Sequence, residues 1–143
     1  MPKYDVFFPV LHGEEGEGGN LQKFLAKEGK AYVGGDWKGF KQGWYKIPFK
    51  KFCDENKIIT SSWKIVKNAA DVKKFGFPSV LKSSNGGSSK EVVILKSARD
   101  FQNKTCQNLL NSGYDLFVEK YLPGTEVTVA IFDSHALPVI EII

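Results

Sequence analysis

The chain has 143 residues, 42% of them hydrophobic and 25% charged, which reads as a globular chain with length for one modest core or two small lobes and not as a wholly disordered one. Its net charge of +4 comes from lysines spread along the chain with no basic run, so they read as a solvated face and not as a nucleic-acid surface. No signal peptide or apolar run of membrane length occurs, because Asp5 breaks the start and Pro9 and His12 end it; a soluble, cytoplasmic protein without membrane or nucleic-acid partners is the expectation.

Residues 4–11 predict a short buried strand around Val6-Phe7-Phe8-Pro9-Val10-Leu11. The loop after it, His12 to Gly19, carries Glu14, Glu15 and Glu17; three carboxylates repel phosphate, so it suits an ammonium group, a metal or solvent. Asn20 predicts an N-cap for a helix with Leu21, Phe24 and Leu25 on one face and Gly29 as its stop. Ala31-Tyr32-Val33 gives a second strand and completes a βαβ unit, in which ligands gather at strand C-terminal ends. His12 stands at such an end, where a structural histidine is as good a reading as a functional one.

Asp36 predicts the cap of a helix carrying Trp37, Phe40 and Trp44 and ending near Lys46 before Pro48, with a further turn or two over 49–56. Residues 63–66 predict a strand, and Asn68 caps a helix over 69–75 that Gly76 and Pro78 close. Ser97 predicts one longer helix, with Ala98, Phe101, Thr105, Leu109 and Leu110 on a buried face and Gly113 as its stop. Eleven phenylalanines suggest a core built on large rings, and Cys53 and Cys106, far apart, read as reduced, partly buried thiols. The chain begins almost in a strand and stops inside another, at 138–143, which sets the expectation of a longer protein.

Two stretches carry chemistry. The first is Phe77-Pro78-Ser79-Val80-Leu81-Lys82, a Ser-Asn-Gly loop through Gly87-Ser88-Ser89, and a second strand ending at Leu95: a hairpin whose small loop residues and hydroxyls can surround an anion with Lys82 at the mouth. In a Walker A loop the lysine closes the glycine run and a helix follows, whereas here it precedes the run and a strand follows; a solvated hairpin loop is the alternative. The second is Leu116 to Ile131, in which a buried strand meets Glu119-Lys120, a Pro123-Gly124 turn and an alternating strand with Glu126, Thr128 and Ala130 on one face. The Leu122 backbone is free to read a planar ring edge, and Glu119 and Glu126 are acceptors for amino and hydroxyl groups such as those of adenine and ribose; an edge connection with solvated charges is the alternative.

In order along the chain, Phe8-Pro9-Val10-Leu11-His12-Gly13 with Gly16-Glu17 and Gly19-Asn20-Leu21-Gln22, then Tyr32-Val33-Gly34, then the Lys82 stretch with Gly87-Ser88-Ser89, then Val118-Glu119-Lys120-Tyr121-Leu122-Pro123-Gly124-Thr125-Glu126 resemble the D-alanine–D-alanine ligases of the ATP-grasp superfamily. The resemblance implies an α/β fold, α+β in its central lobe. Residues 1–35 would end an N-terminal substrate-side α/β domain, 36–122 would form the central ATP-grasp lobe, and 123–143 would start a C-terminal lobe. It also implies a reaction: ATP phosphorylates the carboxylate of one D-alanine, and the amine of a second attacks the acyl phosphate to give the peptidoglycan dipeptide.

Carried over, Lys46 and Lys82 contact the phosphates, Glu119, Lys120 and Leu122 read adenine, and Glu126 holds the ribose. Ser88 and Ser89 lie in the loop over the phosphates, with Ser88 also in the substrate network; His12 sits beside the transferring phosphoryl group, and Glu17 fixes the loop near it. The cofactors implied are ATP with Mg2+ or Mn2+, whose ligands fall outside this chain, and a full-length homodimer is compatible with the family. Departures are Gly18 for a usual Asp, Tyr45 for the acidic residue before the phosphate lysine, Ser83 for a Pro and Lys90-Glu91 for a small apolar pair. Gly18 and Tyr45 leave open another ATP-grasp carboxylate–amine ligase, and the abrupt ends leave open a split or non-catalytic nucleotide-binding module.

Overall fold

The computed structural model describes residues 4–87 and 91–143. Strand β1 (Val6–Phe7) lies parallel to β2 (Ala31–Tyr32), and helices α1 (Glu14–Glu17) and α2 (Asn20–Lys27) make the crossover, so the βαβ reading holds. The strand is shorter than its apolar run: Phe8, Val10 and Leu11 are exposed. Pro9, which has no N–H for a ladder, follows close on its last paired residue. The acidic loop contains a single helical turn, and at Gly16 the carbonyl oxygen of Leu11 comes within 1.9 Å of where a Cβ would stand. Helix α2 is capped by Gly19 at φ 87°, with Asn20 already inside; the Trp37 carbonyl crowds that glycine, so no side chain fits the cap.

Helix α3 (Trp37–Trp44) is capped as its sequence predicts, with Asp36 Oδ1 accepting from Lys38 N at 2.7 Å and Gly39 N at 3.0 Å. It ends two residues before Lys46, because Tyr45 turns extended and α4 (Lys46–Glu55) begins at once. Pro48 thus sits in the first turn of a helix, where its missing N–H costs nothing, instead of terminating one. Lys46 accordingly opens α4 and does not close the helix before it.

The main sheet has the order β3 (Trp63–Val66), β6 (Leu116–Lys120), β4 (Ser79–Ser83) and β5 (Val92–Leu95), antiparallel throughout. On one face Val66, Leu81, Val93, Leu95, Leu116 and Val118 pack against Val72 of α5 (Ala69–Phe75), Phe101, and Cys106 and Leu109 of α6 (Lys104–Leu110). The core is therefore mainly aliphatic. Among the phenylalanines only Phe101 and Phe117 are buried in the described residues, because period-2 alternation puts β-branched and leucine side chains inward on all four strands. Both cysteines are buried and free, as expected.

The predicted helix over 97–110 divides into a 3₁₀ turn (Ala98–Gln102) and α6. Ser97 and Asp100 form a capping box on the first, while Asn103, with ψ 129°, leaves the helical region and caps the second. Beyond β6 the chain forms β7 (Val127–Thr128), β8 (Ile131–Phe132), β9 (His135–Ala136) and β10 (Ile140–Glu141), with β7 paired to β10 and β8 to β9. The alternating strand expected over 126–130 is only two residues long.

Asn68 caps α5 by accepting from Ala70 N and Asp71 N. Asn68→Ala is expected to cost about 1 kcal/mol, read as a lower urea midpoint with an unchanged slope. A shift in slope would mean that the cap does more than satisfy two donors.

Candidate functional site

Alternation leaves the second face of the sheet to Val80 and Lys82 of β4 and to Phe117 and Glu119 of β6. Val80 stands opposite Glu119 and Lys82 opposite Phe117, so the Lys82 ammonium reaches Glu119 along the diagonal and closes an ion pair, Nζ to Oε1, at 2.5 Å. A second lysine completes the cluster. Lys50, one turn into α4 and only 8% exposed, places its Nζ 2.5 Å from Glu119 Oε2 and donates to Thr60 Oγ1 at 2.7 Å and Ser61 Oγ at 2.8 Å. The Ser61 hydroxyl in turn donates to Glu119 Oε2 at 2.6 Å. Burial pushes the Glu119 carboxyl up, but the hydrogen bonds from Lys50, Lys82 and Ser61 and the Lys82 charge outweigh it and hold its pKa at about 2.

The start of α4 is tied to the loop after β4. Lys46 N donates to Ser84 O at 2.7 Å and Ile47 N to Ser84 Oγ at 3.3 Å, while Lys46 Nζ donates to Gly86 O at 2.8 Å. Lys46 and Lys82 line one cavity of about 210 Å³ with Ser83, Gly86, Gly87 and Glu91. Burial and then the Lys82 charge push the Lys46 ammonium down, and Glu91 pushes it up. Two lysines lining one small cavity give it the positive charge that an anion needs, and Glu91 in the same lining opposes it. Ser88 and Ser89 lie outside the described residues.

A larger cleft, of about 680 Å³, separates this loop from the first βαβ unit; His12, Glu14 and Glu17 line one side and Asn85, Gly86 and Gly87 another. Glu17 Oε2 accepts from Gly13 N at 2.7 Å and pins the turn that follows His12. Lys120 is exposed, with its backbone N–H donating to Ser62 O at 2.9 Å. Leu122 is exposed, and neither its N–H nor its C=O has a backbone partner among the described residues. Glu126 is exposed and its side chain makes no hydrogen bond or ion pair among the described residues; Lys82 and Glu119 are in contact, but Glu126 is not drawn into that cluster. Among the described residues no three His, Cys, Asp or Glu side chains form a metal-holding group, and no helix is long and apolar enough to cross a membrane.

The family model of the D-ala D-ala ligase C-terminus matches residues 42–143. The chain belongs to this family. A D-alanine–D-alanine ligase of Thermotoga petrophila is 32% identical over 146 residues, covering 99% of this chain and 48% of that protein. The crystal structure of D-alanine–D-alanine ligase from Bacillus anthracis superimposes with a TM-score of 0.85 at 30% identity, over 98% of this chain and 47% of that one. The same enzyme complexed with ATP gives 0.78 at 30% identity, over 96% and 47%. The fold is thus the α/β ATP-grasp architecture that the motifs imply, and the chain spans about half the length of the curated relatives it matches.

Two departures from the family pattern have local causes. A Cβ on Gly18 would stand 2.5 Å from the Glu14 carbonyl oxygen, so aspartate cannot enter without moving α1. Tyr45 donates its hydroxyl to Glu14 Oε1 at 2.5 Å, and that bond pushes the phenol pKa up. An acidic residue at 45 would instead face Glu14 with like charge. Lys50, Thr60 and Ser61 are the site residues that the sequence does not mark. The only signal is Lys50 lying four residues, one helical turn, beyond Lys46, a spacing that many exposed lysines share.

Proposed function

We infer that this chain supplies the nucleotide grip of an ATP-dependent D-alanine–D-alanine ligase that works through an acyl phosphate. The observation that carries the reading is the convergence of three separated stretches on Lys82, which lines one cavity with Lys46 and pairs with Glu119 on the same sheet face. Cations and backbone donors fixed around spreading negative charge are what phosphoryl transfer needs from a protein. Lys46 and Lys82 hold the α- and β-phosphates, with Ser88 and Ser89 from the loop above. Glu119, Lys120 and the free Leu122 backbone read the adenine edge, and Glu126 takes the ribose hydroxyls. His12 stands beside the transferring phosphoryl group, and Ser88 joins the substrate network. Glu17, through Gly13, sets the position of the His12 turn.

The same reading assigns 1–35 to a substrate-side domain, 36–122 to the ATP-grasp lobe and 123–143 to the start of a further lobe; the β1–β2 pair and the four-stranded sheet are separate sheets, which supports the first boundary. Mg2+ accompanying the triphosphate, a homodimeric full-length protein and a cytoplasmic location belong to it as well.

Calorimetric titration of ATP into the chain tests the grip; D-alanine-dependent ATP hydrolysis and dipeptide formation by the complete gene product test the reaction. No dipeptide from intact protein that binds ATP would sink the ligase assignment. A second reading, another carboxylate–amine pair, is favoured by Gly18 and Tyr45 at the His12 turn, and a panel of amino acids separates the two. Glu91→Gln removes the carboxylate that lines the phosphate cavity, and ATP affinity is expected to rise about two- to fivefold, less so in high salt. Weaker binding would mean that Glu91 holds the loop and does not oppose the ligand.

A further inference from the structure

We propose that Lys50 is a positioning residue for the nucleotide: it permanently neutralises Glu119, so that Lys82 can leave Oε1 for the triphosphate and free that oxygen for the amino group of the base. The inference rests on the nucleotide reading above and adds a residue to it.

The geometry divides Glu119 in two. Oε2 takes Lys50 at 2.5 Å and Ser61 at 2.6 Å, and Lys50 is itself anchored by Thr60 and Ser61, so that half of the carboxylate is fully engaged and closed to a ligand. Oε1 has only Lys82. The two lysines also differ in freedom: the Lys50 side chain is 10% exposed, whereas that of Lys82 is 27% exposed and lines the phosphate cavity with Lys46. One lysine is built in and the other stands at the open end. With both present the cluster carries one positive charge in excess, and that excess lies on the movable side chain. Without Lys50, Lys82 would be the sole counter-ion of a buried carboxylate. It would then be retained on Oε1, the cluster would be neutral, and both the phosphate contact and the acceptor for the base would be lost together.

The test compares ATP, ITP and inorganic triphosphate binding to the chain by calorimetry, for wild type, Lys50→Met and Lys50→Met/Glu119→Gln, with circular dichroism to verify folding. Lys50→Met is expected to weaken both ATP and inorganic triphosphate by about tenfold or more. The double variant releases Lys82, so inorganic triphosphate affinity should return to within about threefold of wild type while the preference for ATP over ITP stays lost. Recovery of triphosphate binding while the preference for ATP over ITP stays lost is a split that the rescue of a merely structural lysine would not give. If Lys50→Met does not fold, the double variant, in which no buried charge is left unpaired, decides alone: triphosphate affinity near wild type supports the proposal, and a loss of tenfold or more overturns it. Wild-type binding to ATP with an unchanged Lys50→Met also overturns it and leaves the nucleotide reading standing. A wild-type chain that binds neither ATP nor triphosphate removes the nucleotide reading and this inference with it.

Discussion

Lys82→Ala is expected to weaken ATP binding by about 10- to 100-fold, the loss of one charge-assisted contact in a partly desolvated cavity. Its fold should survive, because Glu119 keeps Lys50 and Ser61 as partners and the sheet face opposite carries the core. The thermal midpoint should therefore move by only a few degrees while the titration changes by decades, a split that separates a ligand contact from a structural one. Lys82→Arg keeps the charge but replaces a compact ammonium with a planar fork; it should retain part of the affinity and lose part of the fit. An ATP affinity unchanged in Lys82→Ala would remove the anion site from β4. Lys46 would then have to hold the phosphates alone, with its own ammonium pushed down by burial.

The elements that the sequence discloses are those where local chemistry and packing agree. Asp36 and Asn68 cap the helices that they predict, Ser97 is a cap although of a shorter turn, and the hairpin of β4 and β5 follows its β-branched runs. Where the pattern misleads, a residue inside the run or a partner outside it decides. Residues 4–11 look like a buried strand, yet Pro9 and the single partner β2 leave most of that run uncovered. Periodicity from 97 to 110 fits one helix, but Asn103 prefers to cap a new one. Lys82 and Glu119 are visible as candidates because each breaks an apolar strand. Lys50 is invisible because its meaning comes from β6, 69 residues away in the chain, and nothing local distinguishes it from Lys51 beside it. Hairpins and caps are written in neighbouring residues, whereas a buried charge is written in its partner.

That partnership makes a second large effect measurable without any ligand. The Glu119 carboxyl falls from an ordinary 4.5 to about 2 on folding, so it binds its proton more weakly in the folded chain than in the unfolded one. Its contribution to stability is then fully present above about pH 4.5 and is lost as the pH falls towards 2, on the order of 3 kcal/mol at about 1.4 kcal/mol for each pH decade. Glu119→Gln deletes that acid-sensitive share. At pH 7 it also strands the buried Lys50 ammonium, and a cost of about 3–5 kcal/mol is expected. Urea unfolding of both proteins at pH 7, 4.5, 3 and 2 tests this, because every other carboxyl titrates alike in the two and cancels in the difference. The gap should be widest at pH 7 and narrow steadily below 4.5. A gap that is the same at pH 2 as at pH 7 would mean that the carboxylate charge does not stabilise the fold, and the account of Lys50 as its fixed counter-ion would have no foundation.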